Sequence, residues 1–128
     1  MRFIVPNTEL DFYINGEVWA EFASDKSATI DFSYTFFQSD CAQLVPIDSI
    51  APPLRDGNKI WFRDQKTVLS LLHAIKNKDE IPPIVVWGRG RKINNLYSVR
   101  DGFHRFYLSI AMGYQFIPIR VDDWDFEI

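Results

Sequence analysis

The chain has 128 residues, of which 47% are hydrophobic, and a formal net charge of −3 at pH 7. This length and composition predict one globular domain, or one domain with a small extension, that can bury a real core. The single cysteine, Cys41, excludes a disulfide framework and a cysteine-based zinc site, and no apolar run approaches the ~20 residues that span a bilayer. Because the N-terminus is also too short for a signal peptide, we expect a cytoplasmic protein.

Residues 1–43 show the alternation of polar and apolar residues that is typical of β-strands. Residues 8–22 are predicted to form a hairpin, with Gly16 in the left-handed conformation of a three-residue loop at Ile14-Asn15-Gly16. Residues 29–36 alternate cleanly and complete a three-stranded antiparallel β-meander with an acidic outer face. No residues here have catalytic spacing, so we interpret the meander as a structural extension, with its acidic face as a possible surface for a protein partner.

Residues 44–121 alternate between strand and helix patterns. Strands are predicted at 44–50, 84–87, 96–99 and 116–121, and helices from 65 to about 77 and from 103 to 113. Asp64 is the expected N-cap of the first of these helices, whose apolar face contains Val68 and Leu72. The order strand, helix, strand, strand, helix, strand predicts an α+β core with a mixed sheet and two main helices.

Residues 97–113 form the most informative stretch, a strand followed by a turn and a helix. Asp101-Gly102 is a turn signal, and the helical pattern that begins at Phe103 ends at Gly113, which we expect to be a left-handed C-cap. The amides of the first helical turn have no partner within the helix, and the positive end of the helix dipole favours an anion. With His104-Arg105 in that turn, the sequence predicts an anion-binding site.

The charge distribution favours a small anionic ligand over DNA. Residues 1–43 carry two basic and seven acidic side chains, whereas residues 44–128 carry twelve basic and ten acidic ones. The surplus of basic residues lies close to the predicted site in sequence, at Arg89, Arg91, Lys92, Arg100 and Arg105. No overall basic field of the kind that attracts duplex DNA is expected from this balance.

From residue 44 onward the chain resembles the ParB/sulfiredoxin-like superfamily, in the branch with an Asp-Gly-x-His-Arg element. The resemblance rests on V-P-I-D-S-I at 45–50, I-P-P-I-V-V at 81–86, D-G-F-H-R at 101–105, and A-M-G-Y with I-P-I-R-V at 111–121. It implies a ParB/sulfiredoxin-like mixed-sheet core. We therefore predict an N-terminal β-meander extension at 1–43 and a ParB/sulfiredoxin-like domain at 44–128.

Within this superfamily the resemblance implies several activities, so the fold alone does not settle the function. Partition proteins bind and hydrolyse CTP and bind DNA through a separate domain, for which this chain has no room, so DNA binding is not expected. Sulfiredoxins bind ATP and use a cysteine where this chain has Phe103, so sulfinic-acid repair is not expected either. Related free serine kinases transfer phosphate from a nucleotide to a small hydroxyl.

The shared feature of these branches is a nucleotide phosphate at the motif. The resemblance therefore implies that ATP or CTP binds at Gly102, Phe103, His104 and Arg105, with Arg105 as a clamp on the phosphate oxygens. Asp101 could cap the helix, hold Mg²⁺ or accept a proton, and capping is the favoured role. The candidate catalytic residues are Asp101 and His104, and no dedicated metal-ligating cluster is predicted.

Two classes of function remain open on these grounds. The first is a nucleotide-dependent kinase or phosphohydrolase. The second is a non-catalytic interaction module that retains the fold and uses the acidic meander as a binding face. Separately, the motif could be only a stable strand–turn–helix in which the side chains of His104 and Arg105 bond backbone carbonyls. Nucleotide binding by the motif distinguishes the two.

Overall fold

A computed structural model of the chain describes residues 1–23, 32–37, 42–54, 60, 62, 65–87, 92 and 94–122. In chain order the elements are β1 (Arg2–Ile4), β2 (Asp11–Tyr13), α1 (Gly16–Ala23), β3 (Ala42–Pro46), β4 (Ile50–Ala51), α2 (Gln65–Lys76), β5 (Ile84–Val86), β6 (Tyr97–Asp101), α3 (Phe103–Ala111) and β7 (Phe116–Val121). The helices and the mixed sheet confirm the predicted α+β class.

The main sheet has the strand order β3-β7-β5-β6-β4, with both parallel and antiparallel neighbours. Its two edge strands, β3 and β4, are separated only by the 3-10 turn Ile47–Ser49. A flat sheet would hold its outer strands roughly 19 Å apart, whereas the four Cα steps from Pro46 to Ile50 reach at most about 15 Å. The sheet must therefore curl, and the single strand predicted at 44–50 is in fact two strands on opposite edges.

Helix α3 lies at the centre of the core. Phe106, Tyr107 and Leu108 are at most 1% exposed, and the central strand β5 is buried along its whole length. Ser109 is also fully buried. Its hydroxyl donates to the Arg105 carbonyl oxygen at 2.7 Å, so this buried polar group has a hydrogen-bond partner that replaces water. The turn after α3 contains Gly113 at φ 78°, which confirms the predicted left-handed C-cap.

The predicted meander is wrong in its second strand, because residues 16–23 form helix α1. The Asn15 side-chain oxygen accepts hydrogen bonds from the amides of Glu17 at 2.9 Å and Val18 at 3.2 Å, as a helix N-cap does. Gly16 is consequently the first helical residue and not a left-handed turn residue. Strand alternation was misleading here because Val18 and Phe22, four positions apart, share one face in a helix as well as in a strand.

The hairpin that does form pairs β1 with β2, in the register Arg2↔Tyr13, Phe3↔Phe12 and Ile4↔Asp11. The predicted third strand, residues 29–36, is described only from residue 32, and over that part the prediction is wrong. These residues do not join the hairpin, and Phe36 makes one isolated parallel bridge to Ile81. The acidic side chains therefore do not share one sheet face. Glu17 and Glu21 are exposed on α1, while Asp11 forms an ion pair with Arg2 at 2.8 Å.

The hairpin packs onto the same core as the main sheet. Phe12 is fully buried, and its ring centroid lies 5.1 Å from that of Tyr107 on α3. Phe62 contacts both of these rings, at 5.9 Å from Phe12 and 6.3 Å from Tyr107. An aromatic cluster therefore joins the N-terminal hairpin to α3. The division of the chain at residue 43 into two domains stays a prediction.

We expect Tyr107→Phe to lower the free energy of unfolding by about 1 kcal/mol. The buried Tyr107 hydroxyl donates to the Pro53 carbonyl oxygen at 2.6 Å, and burial raises the pKa of this hydroxyl, so it stays a neutral donor. Phenylalanine keeps the ring packing and removes only that bond. Urea unfolding of the variant measures the loss, with Tyr13→Phe as the control because Tyr13 is 61% exposed. Equal stability of the two variants would contradict the prediction.

Candidate functional site

A cleft of about 490 Å³ lies at the beginning of two helices, α2 and α3. One wall is the segment from Asp101 to Arg105, and the other consists of Lys66, Thr67, Ser70 and Leu71. These residues belong to the first two turns of α2 and the first turn of α3, with the last strand residue before α3. The positive ends of two helix dipoles, one lysine and two hydroxyls therefore line the same cavity. Its size is in the usual range for a small-molecule site.

Gly102 makes the sharp passage from β6 to α3 possible. It has φ 125° and ψ 26°, a conformation that residues with a side chain rarely adopt. A Cβ atom at this position would lie 2.5 Å from Cγ2 and 2.8 Å from Cβ of Ile84, on the buried strand β5. The glycine therefore serves backbone geometry and close packing, and it lets α3 begin directly at the cleft. The first helical bond runs from the Phe106 amide to the Gly102 carbonyl oxygen at 2.9 Å.

Asp101 does not cap α3, so the favoured sequence interpretation of this residue is wrong. No side chain bonds the helix start at the N-cap position, which is occupied by Gly102. Instead, Asp101 Oδ2 lies 3.3 Å from Nη2 of Arg105, one helical turn further on. The side chain of Asp101 is 71% exposed and that of Arg105 only 15% exposed. The carboxylate is thus directed to the neighbouring guanidinium and not to the backbone amides.

Arg105 is anchored to the protein backbone by its other terminal nitrogen. Its Nη1 donates to the carbonyl oxygens of Pro82, at 3.0 Å, and of Pro83, at 2.9 Å, just before β5. The Tyr34 hydroxyl donates to the same Pro82 oxygen at 2.8 Å. Burial raises the pKa of Tyr34, so this phenol remains protonated as a donor. Arg105 therefore lines the cleft and also connects α3 to β5, which corresponds to the carbonyl-bonding alternative of the sequence analysis.

Phe103 and His104 begin α3 side by side but have different surroundings. Phe103 is 6% exposed, and its ring lies 4.9 Å from that of Tyr107, so the side chain belongs to the aromatic core. His104 is half-buried and stacks on Phe62 with a centroid distance of 5.4 Å and an interplanar angle of 29°. Both residues border the cleft. All five residues predicted for the site are therefore brought together, and Phe103 can face a ligand mainly through its backbone.

The α2 wall of the cleft was not predicted from the sequence. Lys66 and Ser70 are four positions apart, and Thr67 and Ser70 are three apart, so all three share the side of α2 away from the buried Val68 and Leu72. A hydroxyl-rich polar face at the start of a helix was the available signal. It was ambiguous because such faces are usually only solvated.

Two described basic residues, Arg100 and Lys92, are not on the described lining of the cleft and have other partners. Arg100 pairs with the buried Asp122 at 3.1 Å and lies 5.3 Å from the centre of the Trp87 ring. Lys92 lies over Tyr97, 4.8 Å from the ring centre. Arg89, Arg91 and Cys41 lie outside the described residues, as does the predicted N-cap Asp64. On the described lining of the cleft, the positive charge therefore comes from Lys66, from Arg105 and from the two helix ends.

The described ranges of the chain hold neither a metal-ligating cluster nor a helix that could cross a membrane. In those ranges no three His, Cys, Asp or Glu side chains come together as metal ligands. None of the helices in the same ranges combines the length and apolar composition that a bilayer-crossing segment needs. Asp101 is the one carboxylate on the described lining of the cleft.

The family model described as ParB N-terminal domain matches residues 33–127. The matched region contains α2, α3 and the five strands of the main sheet, and therefore the whole described lining of the cleft. A search of curated proteins gives no match.

Proposed function

The chain belongs to the ParB N-terminal domain family, within the ParB/sulfiredoxin-like superfamily, and from this we propose that its cleft binds the phosphates of a nucleoside triphosphate, ATP or CTP. The observation that carries the proposal is the lining of the cleft by two helix beginnings together with Lys66, Thr67 and Ser70. Helix beginnings attract anions, and hydroxyls and an ammonium group complete the hydrogen-bonding shell of a phosphate.

Each side chain has a distinct role in this proposal. Lys66 supplies an ammonium group, and the hydroxyls of Thr67 and Ser70 donate to phosphate oxygens. Arg105, held by Pro82 and Pro83, supplies a fixed positive charge at the opposite wall. His104 borders the cleft and can donate a hydrogen bond to a phosphate oxygen.

Mg²⁺ fits this site only as a companion of the nucleotide. It prefers one or two carboxylates together with phosphate oxygens, and Asp101 is the described carboxylate on the lining. A bound metal would neutralise phosphate charge. Phosphotransfer or nucleotide hydrolysis extends the proposal, with Asp101 and His104 as the candidates to accept and donate a proton.

Lys66→Ala is the direct test, and we expect it to weaken binding of ATP or CTP about tenfold. Isothermal titration with each nucleotide, with and without Mg²⁺, measures the affinities. Lys76→Ala is the matched control, because it removes the same charge from the same helix roughly 15 Å further along. If the folded wild-type protein bound neither nucleotide under any of these conditions, the proposal would fail.

A non-catalytic interaction module is the alternative function. The outer face of the β1–β2 hairpin exposes Ile4 by 55% and Tyr13 by 61%, and these are large apolar side chains for a solvated surface. A pull-down with the hairpin variant Ile4→Ser and the wild-type protein tests this alternative. A partner retained by the wild type and lost by the variant, together with the absence of nucleotide binding, would favour it.

A further inference from the structure

The two terminal nitrogens of Arg105 have different partners, and this division constrains how the guanidinium can meet a ligand. Nη1 is held by the carbonyl oxygens of Pro82 and Pro83, at 3.0 and 2.9 Å. Nη2 is next to the carboxylate of Asp101, at 3.3 Å. A phosphate that approaches Nη1 has to compete with two backbone acceptors on a largely buried side chain. A phosphate that approaches Nη2 has to compete with Asp101, which is 71% exposed and can move away.

The exposed carboxylate also carries the wrong charge for an anion site. Asp101 and Arg105 both line the cleft, so a phosphate near Nη2 is necessarily near Asp101 as well. A neighbouring like charge commonly changes the ionisation equilibrium of a group by about tenfold or more. The same repulsion is expected to lower the affinity of the cleft for a phosphate that lies next to Asp101. Unneutralised polyphosphate is therefore disfavoured in two ways, by competition for Nη2 and by repulsion.

We propose that Asp101 is a specificity-determining residue that makes the cleft prefer polyphosphate neutralised by a divalent cation over metal-free polyphosphate. This inference rests on the proposed function of the cleft. The carboxylate of Asp101 acts as an internal counter-anion of Arg105. A ligand whose negative charge is partly cancelled can approach the guanidinium without displacing this carboxylate. Lys66 and the helix ends supply the attraction common to both forms of the ligand, so Asp101 sets the difference between them.

Asp101→Asn separates charge from shape. The amide has almost the same size and keeps an oxygen that can accept a hydrogen bond from Arg105, but it carries no charge. Wild type and variant are titrated with ATP, CTP and inorganic tripolyphosphate, each in excess Mg²⁺ and in excess EDTA. Asp11→Asn is the matched control, because it also neutralises an aspartate paired with an arginine, Arg2, in the separate β1–β2 hairpin.

We expect the wild-type protein to bind the Mg²⁺ complexes at least tenfold more tightly than the metal-free forms. In Asp101→Asn the metal-free affinity rises about tenfold, while the affinity for the Mg²⁺ complexes does not rise, so the preference for the Mg²⁺ complexes falls tenfold or more. The control variant Asp11→Asn is expected to keep the wild-type ratio between the affinities for the Mg²⁺ complexes and for the metal-free forms. Thermal unfolding of all three proteins verifies that each is folded at the titration temperature.

Three outcomes would overturn the inference. If Asp101→Asn kept the wild-type ratio, or bound both forms of the ligand more weakly, Asp101 would not be the discriminating group, although the cleft would still be a nucleotide site. If neither protein bound any of the ligands, the proposed function would fail and the inference with it. The first two outcomes are distinguishable from the third because nucleotide binding persists.

Discussion

Gly102→Ala is expected to lower the free energy of unfolding by about 4 kcal/mol, from a strained backbone and an overfilled core together. The backbone at Gly102 has φ 125°, which disfavours any residue with a side chain. The new methyl group would also meet Ile84 at 2.5 Å, and Ile84 is fully buried on the central strand, so it has no free direction in which to move. Because α3 forms the middle of the core, a displacement of its first turn affects the whole domain.

Two other glycines serve as controls that separate backbone strain from overfilling of the core. Gly113 has φ 78° but open space where a Cβ would be, so Gly113→Ala is expected to cost only about 1 kcal/mol, from backbone strain alone. At Gly16 a Cβ would likewise meet nothing within 4 Å, and the residue begins α1, so alanine there is expected to be neutral or slightly stabilising. Urea unfolding ranks the three variants. A Gly102→Ala protein within about 1 kcal/mol of wild type would contradict the argument.

The parts of the fold that follow from local chemistry were predictable from the sequence. The turn at Asp101-Gly102, the helix that begins at Phe103 and the left-handed Gly113 each depend on neighbouring residues, and each is present. The continuous apolar run at 84–87 predicted a central strand for the same reason, and its first three residues form the buried β5. These elements form one wall of the cleft, which explains why the strand–turn–helix passage from Asp101 to Arg105 could be predicted without a structure.

The errors occur where two local interpretations were equally good. Asn15 is a favourable residue both for a hairpin turn and for a helix N-cap, and only the packing of residues 16–23 on α2 and the hairpin selects the helix. The role of Asp101 was ambiguous in the same way, since an aspartate before a helix can cap it or pair with an arginine four positions later. The structure shows the ion pair.

The remaining part of the site could not be predicted because it depends on tertiary contacts. The α2 wall meets the motif across more than thirty positions of sequence, as the numbers of Ser70 and Asp101 show. The acceptors of Arg105, at Pro82 and Pro83, lie 23 and 22 positions away. The periodicity of apolar residues along the chain gives no information about contacts between residues so far apart in sequence. The sequence therefore predicted an arginine clamp for phosphate and could not show that one side of the clamp holds the protein itself.

Arg105→Ala is accordingly expected to lower the free energy of unfolding by about 3 kcal/mol, whatever its effect on ligands. Of the two described donors to the Pro82 oxygen, the variant leaves only the Tyr34 hydroxyl, and it removes the side-chain donor from the Pro83 oxygen. Arg120→Ala is the control, since Arg120 is exposed on β7 and its loss should stay within about 0.5 kcal/mol. For this reason Lys66, and not Arg105, is the residue on which nucleotide binding is tested.

A double-mutant cycle that combines Arg105→Ala with Asp101→Asn separates two contributions of Arg105 to stability, the ion pair with Asp101 and the hydrogen bonds to the backbone carbonyls. The Asp101–Arg105 pair has one strongly exposed member, so it should contribute less than about 1 kcal/mol, and the coupling between the two substitutions should be of that size. Arg105→Ala should then destabilise the wild-type and the Asp101→Asn proteins almost equally, because most of its contribution lies in the two carbonyl bonds. A coupling above about 2 kcal/mol would mean that the ion pair stabilises the fold. Asp101 would then be too strongly held to yield Nη2 to a ligand.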